Sequence, residues 1–199
     1  MKWEFDEEDQ VYVDEDGNVL SESALLALIS LLAVKVGNRM VRLIEADRSG
    51  DMDTRTQQKR AGDEIRNAHR MMAALGAGGL KQLTEGQKRE ADSKVRREET
   101  YWLRLTMSVN TVGDEEASAR AAQYGSSTYG SFQAASKDAH ARNGWEWAEW
   151  QLEHGAAHCD DCPEQASRGR QRVESFPDIG SLSCLGNCRC NLNYFTEPA

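Results

Sequence analysis

The chain has 199 residues, 39% of them hydrophobic and 29% charged, with a net charge of −9 at pH 7 and a mean hydropathy of −0.69. At roughly 100–200 residues per domain this is one domain, or one plus a small module, and it is long enough to bury a real core. No run of about 20 apolar residues stands out, which argues against a membrane span, and the acidic start after Met1-Lys2-Trp3 does not read as a secretory signal.

The charge is unevenly placed. Residues 1–18 carry eight acids against the single Lys2, residues 19–156 balance at nineteen of each sign, and residues 157–199 carry six acids and four bases. No region is strongly basic, so nucleic-acid contact is expected to be absent or indirect.

Residues 1–20 read as an acidic extended or hairpin-like arm, with Trp3/Phe5 and Val11/Val13 alternating with polar residues and Asp16-Gly17-Asn18 supplying turn chemistry. Ser21 or Ser23 can cap a helix running to about Asp47. Its first half, Ala24 to Val34, is apolar on nearly every face, but eleven residues span only about 16 Å. Such a helix has to be buried, in its own core or against another subunit.

A second helix is predicted from about Asp51 to Leu75, ended by Gly76-Ala77-Gly78-Gly79. A third covers about Leu80 to Val109, with Leu80, Leu83, Ala91, Val95, Trp102, Leu105 and Val109 at near-heptad spacing. A fourth runs unbroken from Gly113 to about Asn143-Gly144, with acids in its first turn and Tyr124, Tyr129 and Phe132 along it. His69, His140 and His154 read as surface or capping residues.

Composition then shifts. Trp145-Glu146-Trp147-Ala148-Glu149-Trp150 alternates as a short strand does, and its tryptophans suit a lid over the helices; an aromatic ligand platform is the sharper alternative. The fold class expected is therefore mainly α: an acidic arm (1–20), an extended helical body (21–144) and a small C-terminal α+β module (145–199).

All five cysteines, Cys159, Cys162, Cys184, Cys188 and Cys190, lie close to the C-terminal end of the sequence. An odd number cannot pair completely, and clustered cysteines without an export signal point to metal or redox chemistry. A C-x-x-C turn presents two thiolates to one ion, and Cys188-x-Cys190 in extended backbone points both sulfurs to one side. The two halves can therefore converge across the loop between Cys162 and Cys184. The expectation is one structural Zn²⁺ held by Cys159 and Cys162 with two of Cys184, Cys188 and Cys190. His158 is a further donor. Disulfides are the competing reading, and a thiol-redox or zinc-hydrolytic enzyme a more distant one. No phosphate loop, nucleophile elbow or H-E-x-x-H occurs, so no catalytic or cofactor-binding residues are assigned and no enzyme is expected.

The segments Gly155-Ala156-Ala157-His158-Cys159-Asp160-Asp161-Cys162, Ala166-Ser167-Arg168-Gly169, Phe176-Pro177-Asp178-Ile179-Gly180-Ser181 and Cys184-Leu185-Gly186-Asn187-Cys188-Arg189-Cys190-Asn191-Leu192 together resemble the C-terminal signature of tailed-phage minor head proteins of the Mu F-like, head-morphogenesis type. The resemblance is confined to this C-terminal part of the chain. Many members of the family carry His where this chain has Cys184, which would keep a ligand there. The resemblance implies a low-copy virion component assembled in the host cytoplasm and docked on the portal or major capsid protein. A homo-oligomer is compatible with it, and the role implied is head morphogenesis or genome delivery. The alternative is a zinc-module nucleic-acid-binding or regulatory protein, with Arg168, Arg170, Arg172 and Arg189 as contacts.

Overall fold

The computed structural model describes residues 3–6, 11–14, 16–108, 111–156, 158–183 and 188–199. Val109 and Cys184, singled out above, lie outside the described residues. In chain order the elements are β1 (Trp3–Asp6), β2 (Val11–Asp14), α1 (Glu22–Arg48), α2 (Thr54–Ala77), α3 (Glu85–Ser108), α4 (Asp114–Ser127), α5 (Tyr129–Arg142), β3 (Trp147–Gln151), α6 (Asp161–Ser167), β4 (Gln171–Arg172) and β5 (Asn191–Phe195). The protein is mainly helical with a small C-terminal sheet, as its periodicity predicts.

The arm is an antiparallel hairpin of β1 and β2. The chain turns again at Gly17 (φ +80°), and Val19 bridges back to Val13. Helix boundaries follow cap chemistry. The Ser21 hydroxyl accepts the Ala24 N–H at 3.2 Å to start α1, and the Asp53 carboxylate accepts the Thr56 N–H at 3.0 Å to start α2. Gly78, in the left-handed region at φ +96°, ends α2.

The third helix begins later than its apolar spacing suggests. Thr84 and Gln87 form a reciprocal capping box, with Gln87 Oε1 accepting the Thr84 N–H (2.8 Å) and Thr84 Oγ1 accepting the Gln87 N–H (3.2 Å). Leu80 is left outside the helix and 77% exposed. The fourth predicted helix is two: the ladder breaks at Thr128. There the Ser127 hydroxyl bonds the Tyr124 carbonyl and the Thr128 hydroxyl the Gly125 carbonyl, offering the backbone an alternative to the regular pattern.

The helices pack α1 on α4 and α2, and α2 on α5 and α3. One core joins Val36, Met40 and Ile44 of α1 to Ile65, Trp102, Ala121 and Tyr124. By length and composition Ser23–Arg48 is the one helix among the described residues able to cross a membrane, so length does not exclude a span as the shorter apolar run suggested. Its Ile29, Ala33, Val36, Met40 and Ile44 recur every three or four residues and are buried within the protein, but only 28% of its apolar window is buried.

The C-terminal sheet has the order β4-β3-β5, all antiparallel. Along β3, Ala148 and Trp150 face inward while Trp147, Glu149 and Gln151 are partly exposed, the alternation expected of a half-buried strand. A second core runs from Ile29, Met72, Leu75, Tyr129 and Phe132 of the helices into Trp150, Val173, Phe176 and Leu192 of the sheet region. The module and helical body thus share buried side chains. Lys137 of α5 adds a polar tie, donating to the Phe176 carbonyl (2.6 Å) and the Asp178 carboxylate (3.0 Å).

Candidate metal centre

The cysteine-bearing segments meet against the inner face of β3. Cys159 and Cys162 stand on the turn that opens α6, closed by the Cys162 N–H donating to the Cys159 carbonyl at 3.2 Å. Cys188 and Cys190 precede β5 in irregular backbone, and the residue between them, Arg189, reaches away to donate to the Ser126 hydroxyl at 3.0 Å. Their i, i+2 spacing brings both sulfurs into one cluster. Cys162, Cys188 and Cys190 are all buried, and their sulfurs lie within 4.8 Å of one another.

The Cys162–Cys188 sulfur separation is 3.9 Å and the Cys159–Cys162 separation 3.4 Å. Four thiolates at about 2.3 Å from a tetrahedral ion sit about 3.8 Å apart, so the donor set is sized for a metal. Both separations are far longer than a sulfur–sulfur bond, so these are separate sulfurs rather than bonded pairs. Three buried cysteines are therefore able to hold one ion, with Cys159 beside them.

His158 adds an imidazole. Its Nε2–H is placed to donate to the Glu153 carbonyl at 3.0 Å, which leaves the Nδ1 lone pair facing Cys190 Sγ at 3.6 Å. An outer hydrogen bond of this kind fixes the tautomer that a ligand histidine needs. Asp161, between the two cysteines of the C-x-x-C turn, accepts both the N–H (3.0 Å) and the hydroxyl (2.5 Å) of Ser183, tying the distal chain to the start of α6. These bonds hold the Asp161 carboxyl below its usual range.

Burial pushes the Cys190 thiol up, and a hydrogen bond from Trp150 pulls it back in part. The Trp150 indole N–H is buried without an oxygen or nitrogen partner. Trp150 is thus a donor to sulfur as well as a core residue, a role the alternating tryptophans did not announce.

Of the arginines weighed as nucleic-acid contacts, Arg168, Arg170 and Arg172 have partners within the module, while Arg189 reaches Ser126 of α4. Arg170 pairs with Glu149 (3.1 Å) and covers Phe195, and Arg172 pairs with Glu146 (2.8 Å) and covers Trp147. Arg168 bonds Gln165 and lies over Phe176. No family model, curated protein or solved structure matches this chain.

Two histidines differ from the expectation of surface residues. His69 is 0% exposed, its Nδ1 2.7 Å from Ser131 Oγ and its Nε2 3.0 Å from Glu98 Oε2, the latter too far off line for a regular hydrogen bond. The three residues come from α2, α5 and α3 and brace these helices through their common interior. Their chemical types match a nucleophile–base–acid set, and Ser131, only 2% exposed, is among the residues lining a cavity of about 430 Å³. His140 stacks on Tyr194 at 3.9 Å between ring centroids, and burial lowers its pKa. Helix periodicity places His69 directly after the core position Ala68, where a charged-face reading is natural. Nothing in the local sequence signals its partners, which lie on two later helices.

Proposed function

We propose that this chain is a structural minor head protein of a tailed bacteriophage, present in low copy in the virion and docked on portal or capsid, where it serves head morphogenesis or genome delivery. The observation that carries the reading is the convergence of Cys159/Cys162 with Cys188/Cys190 on one buried point, in the segment that resembles the Mu F-like signature. The metal is taken to be a single structural zinc, held by Cys162, Cys188 and Cys190 with Cys159 or His158 as fourth donor. An ion so bound cross-links two distant pieces of chain and contributes folding free energy of order 10 kcal/mol where the three-stranded sheet has little core of its own.

Two features suit assembly into a larger particle. Leu31 and Val34 of α1 are half exposed, leaving apolar surface beside the buried stripe. The acidic arm is complementary to a basic protein surface. Elemental analysis of the purified chain is expected to find one equivalent of zinc, and mass spectrometry of purified virions and procapsids of the encoding phage is expected to find this chain. Absence of the chain from both particles refutes the virion assignment; oxidised, metal-free cysteines refute the clasp.

A further inference from the structure

Between α3 and α4 lies a cavity of about 600 Å³, within the ~300–1,000 Å³ usual for small-ligand sites. The two helices touch through Trp102 and Tyr124, whose rings meet edge-on at 5.1 Å, while each packs mainly on a different partner, α3 on α2 and α4 on α1. Gly130 and the Ile179-Gly180 turn close one end.

The lining is unlike the rest of this acidic protein. Lys94, Arg97, Tyr101 and Arg104 step by three, four and three along one face of α3, and Arg120 and Tyr124 stand four apart on α4. The one carboxylate in the lining, Glu98, is buried and turned toward His69. Some neighbouring arginines are matched with acids, as in Arg66–Glu99 and Arg70–Asp92. Arg97 and Arg104 have no acidic partner among the described residues, and Arg104 lies 5.9 Å over the Tyr101 ring. Lys94 lies 3.8 Å from Glu90 and donates to the Gly130 carbonyl at 2.8 Å, and Arg120 pairs with Glu116. The cations of this lining left without an acid are thus Arg97 and Arg104, on one face of α3 in a chain of net charge −9. The aromatic face of Tyr101, 46% exposed, sits among the same cations.

We propose that the α3–α4 groove binds a nucleotide unit, its phosphate drawn by Arg97 and Arg104 and its base stacked on Tyr101. Phosphate needs the cations, and every base has a face that stacks on an aromatic ring. The unit has two sources, a free nucleotide or one residue of a single-stranded nucleic acid. The inference stands apart from the virion assignment, since it uses neither the cysteines nor the sequence resemblance.

The test uses the full chain with its metal retained. Fluorescence anisotropy follows a labelled oligothymidylate at about 50 mM and about 200 mM salt, with dTMP, AMP and inorganic phosphate as competitors and duplex DNA in parallel. Wild type is compared with Arg97→Ala/Arg104→Ala, Tyr101→Ala and, as a control of equal charge per site on another face, Arg60→Ala. The expected result is binding to the single strand that falls at least tenfold in the double arginine variant, fivefold or more in Tyr101→Ala, and little in Arg60→Ala. Losing two phosphate contacts on a single strand also flattens the salt slope by about 1.4. Competition by dTMP and AMP identifies the free nucleotide as a sufficient ligand; binding of the oligonucleotide without such competition identifies the strand. Three results overturn the proposal: no binding of either form, binding unchanged in the arginine variant, or competition by phosphate equal to that by nucleotides with Tyr101→Ala unaffected, which describes a simple anion site.

Discussion

Replacing Gly125 by alanine puts the helix packing to a direct test. Ala117, Ala121 and Gly125 form a stripe of small residues on α4, facing Ala33 and Gly37 of α1. A β-carbon on Gly125 would overlap the Ala33 carbonyl and come within 2.7 Å of the Gly37 nitrogen, while one on Gly37 would come within 2.7 Å of the Ala122 carbonyl. The obstacles are backbone atoms, so no rotamer change relieves them, and the two helices must part by on the order of 1 Å. A gap of that size forfeits about a quarter to a half of the dispersion attraction along the contact. Overpacking of this kind costs about 1–3 kcal/mol, and the upper end applies where backbone is the obstacle. Alanine returns about 1 kcal/mol of helix propensity, leaving a net loss of about 2 kcal/mol, or about 4–8 °C in Tm for a domain of this size. Gly86, in the first turn of α3 with only the Thr84 hydroxyl at 3.7 Å from an added methyl, is the control; Gly86→Ala is expected to gain up to about 1 kcal/mol. Thermal melts by far-UV circular dichroism rank the two. If Gly125→Ala is as stable as Gly86→Ala, α1 and α4 are not in backbone contact and the described bundle is wrong.

If the cysteines hold zinc as proposed, Cys162→Ser and Cys190→Ser are expected to abolish stoichiometric metal binding and to loosen the C-terminal sheet while the helical signal persists, as read by elemental analysis and near- and far-UV circular dichroism; stoichiometric zinc retained in Cys162→Ser rejects the ligand set. Lys137→Met removes a mostly buried ammonium from the Phe176 carbonyl and Asp178, and is expected to cost about 1–2 kcal/mol in urea unfolding. His140 has its pKa lowered from 6.5 by burial, so below about pH 6.5 the unfolded chain binds the proton more readily than the folded one. Stability is therefore expected to fall as pH drops through the region just below 6.5, and the fall should be smaller in His140→Phe, which keeps a ring against Tyr194. Equal pH dependence in both proteins removes His140 as its source.

The elements most visible in the sequence were those set by local chemistry. Ser21 and Gly144 mark helix ends because caps act within a few residues, and the alternation Ala148/Trp150 marks a strand because period 2 is local. The break at Thr128 was hidden because alanine-rich periodicity continues on both sides, and only the hydroxyl bonds of Ser127 and Thr128 reveal it. The cysteine cluster was legible through its C-x-x-C and C-x-C spacings. The contribution of Trp150 to that cluster, the burial of His69 and the basic lining between α3 and α4 were not, because each depends on which helix face lies against which, a tertiary fact that spacing along one helix does not contain.

The core shared by Ile29, Met72 and Phe132 with Trp150, Phe176 and Leu192 has a consequence for biosynthesis. A ribosome delivers the three helical contributors well before the sheet that covers them. Until Leu192 emerges, the nascent bundle carries an open apolar face, and its maturation waits for the sheet. Ribosomes that stall within residues 150–190 would leave that face uncovered, which makes such arrested products natural clients for chaperones and proteases.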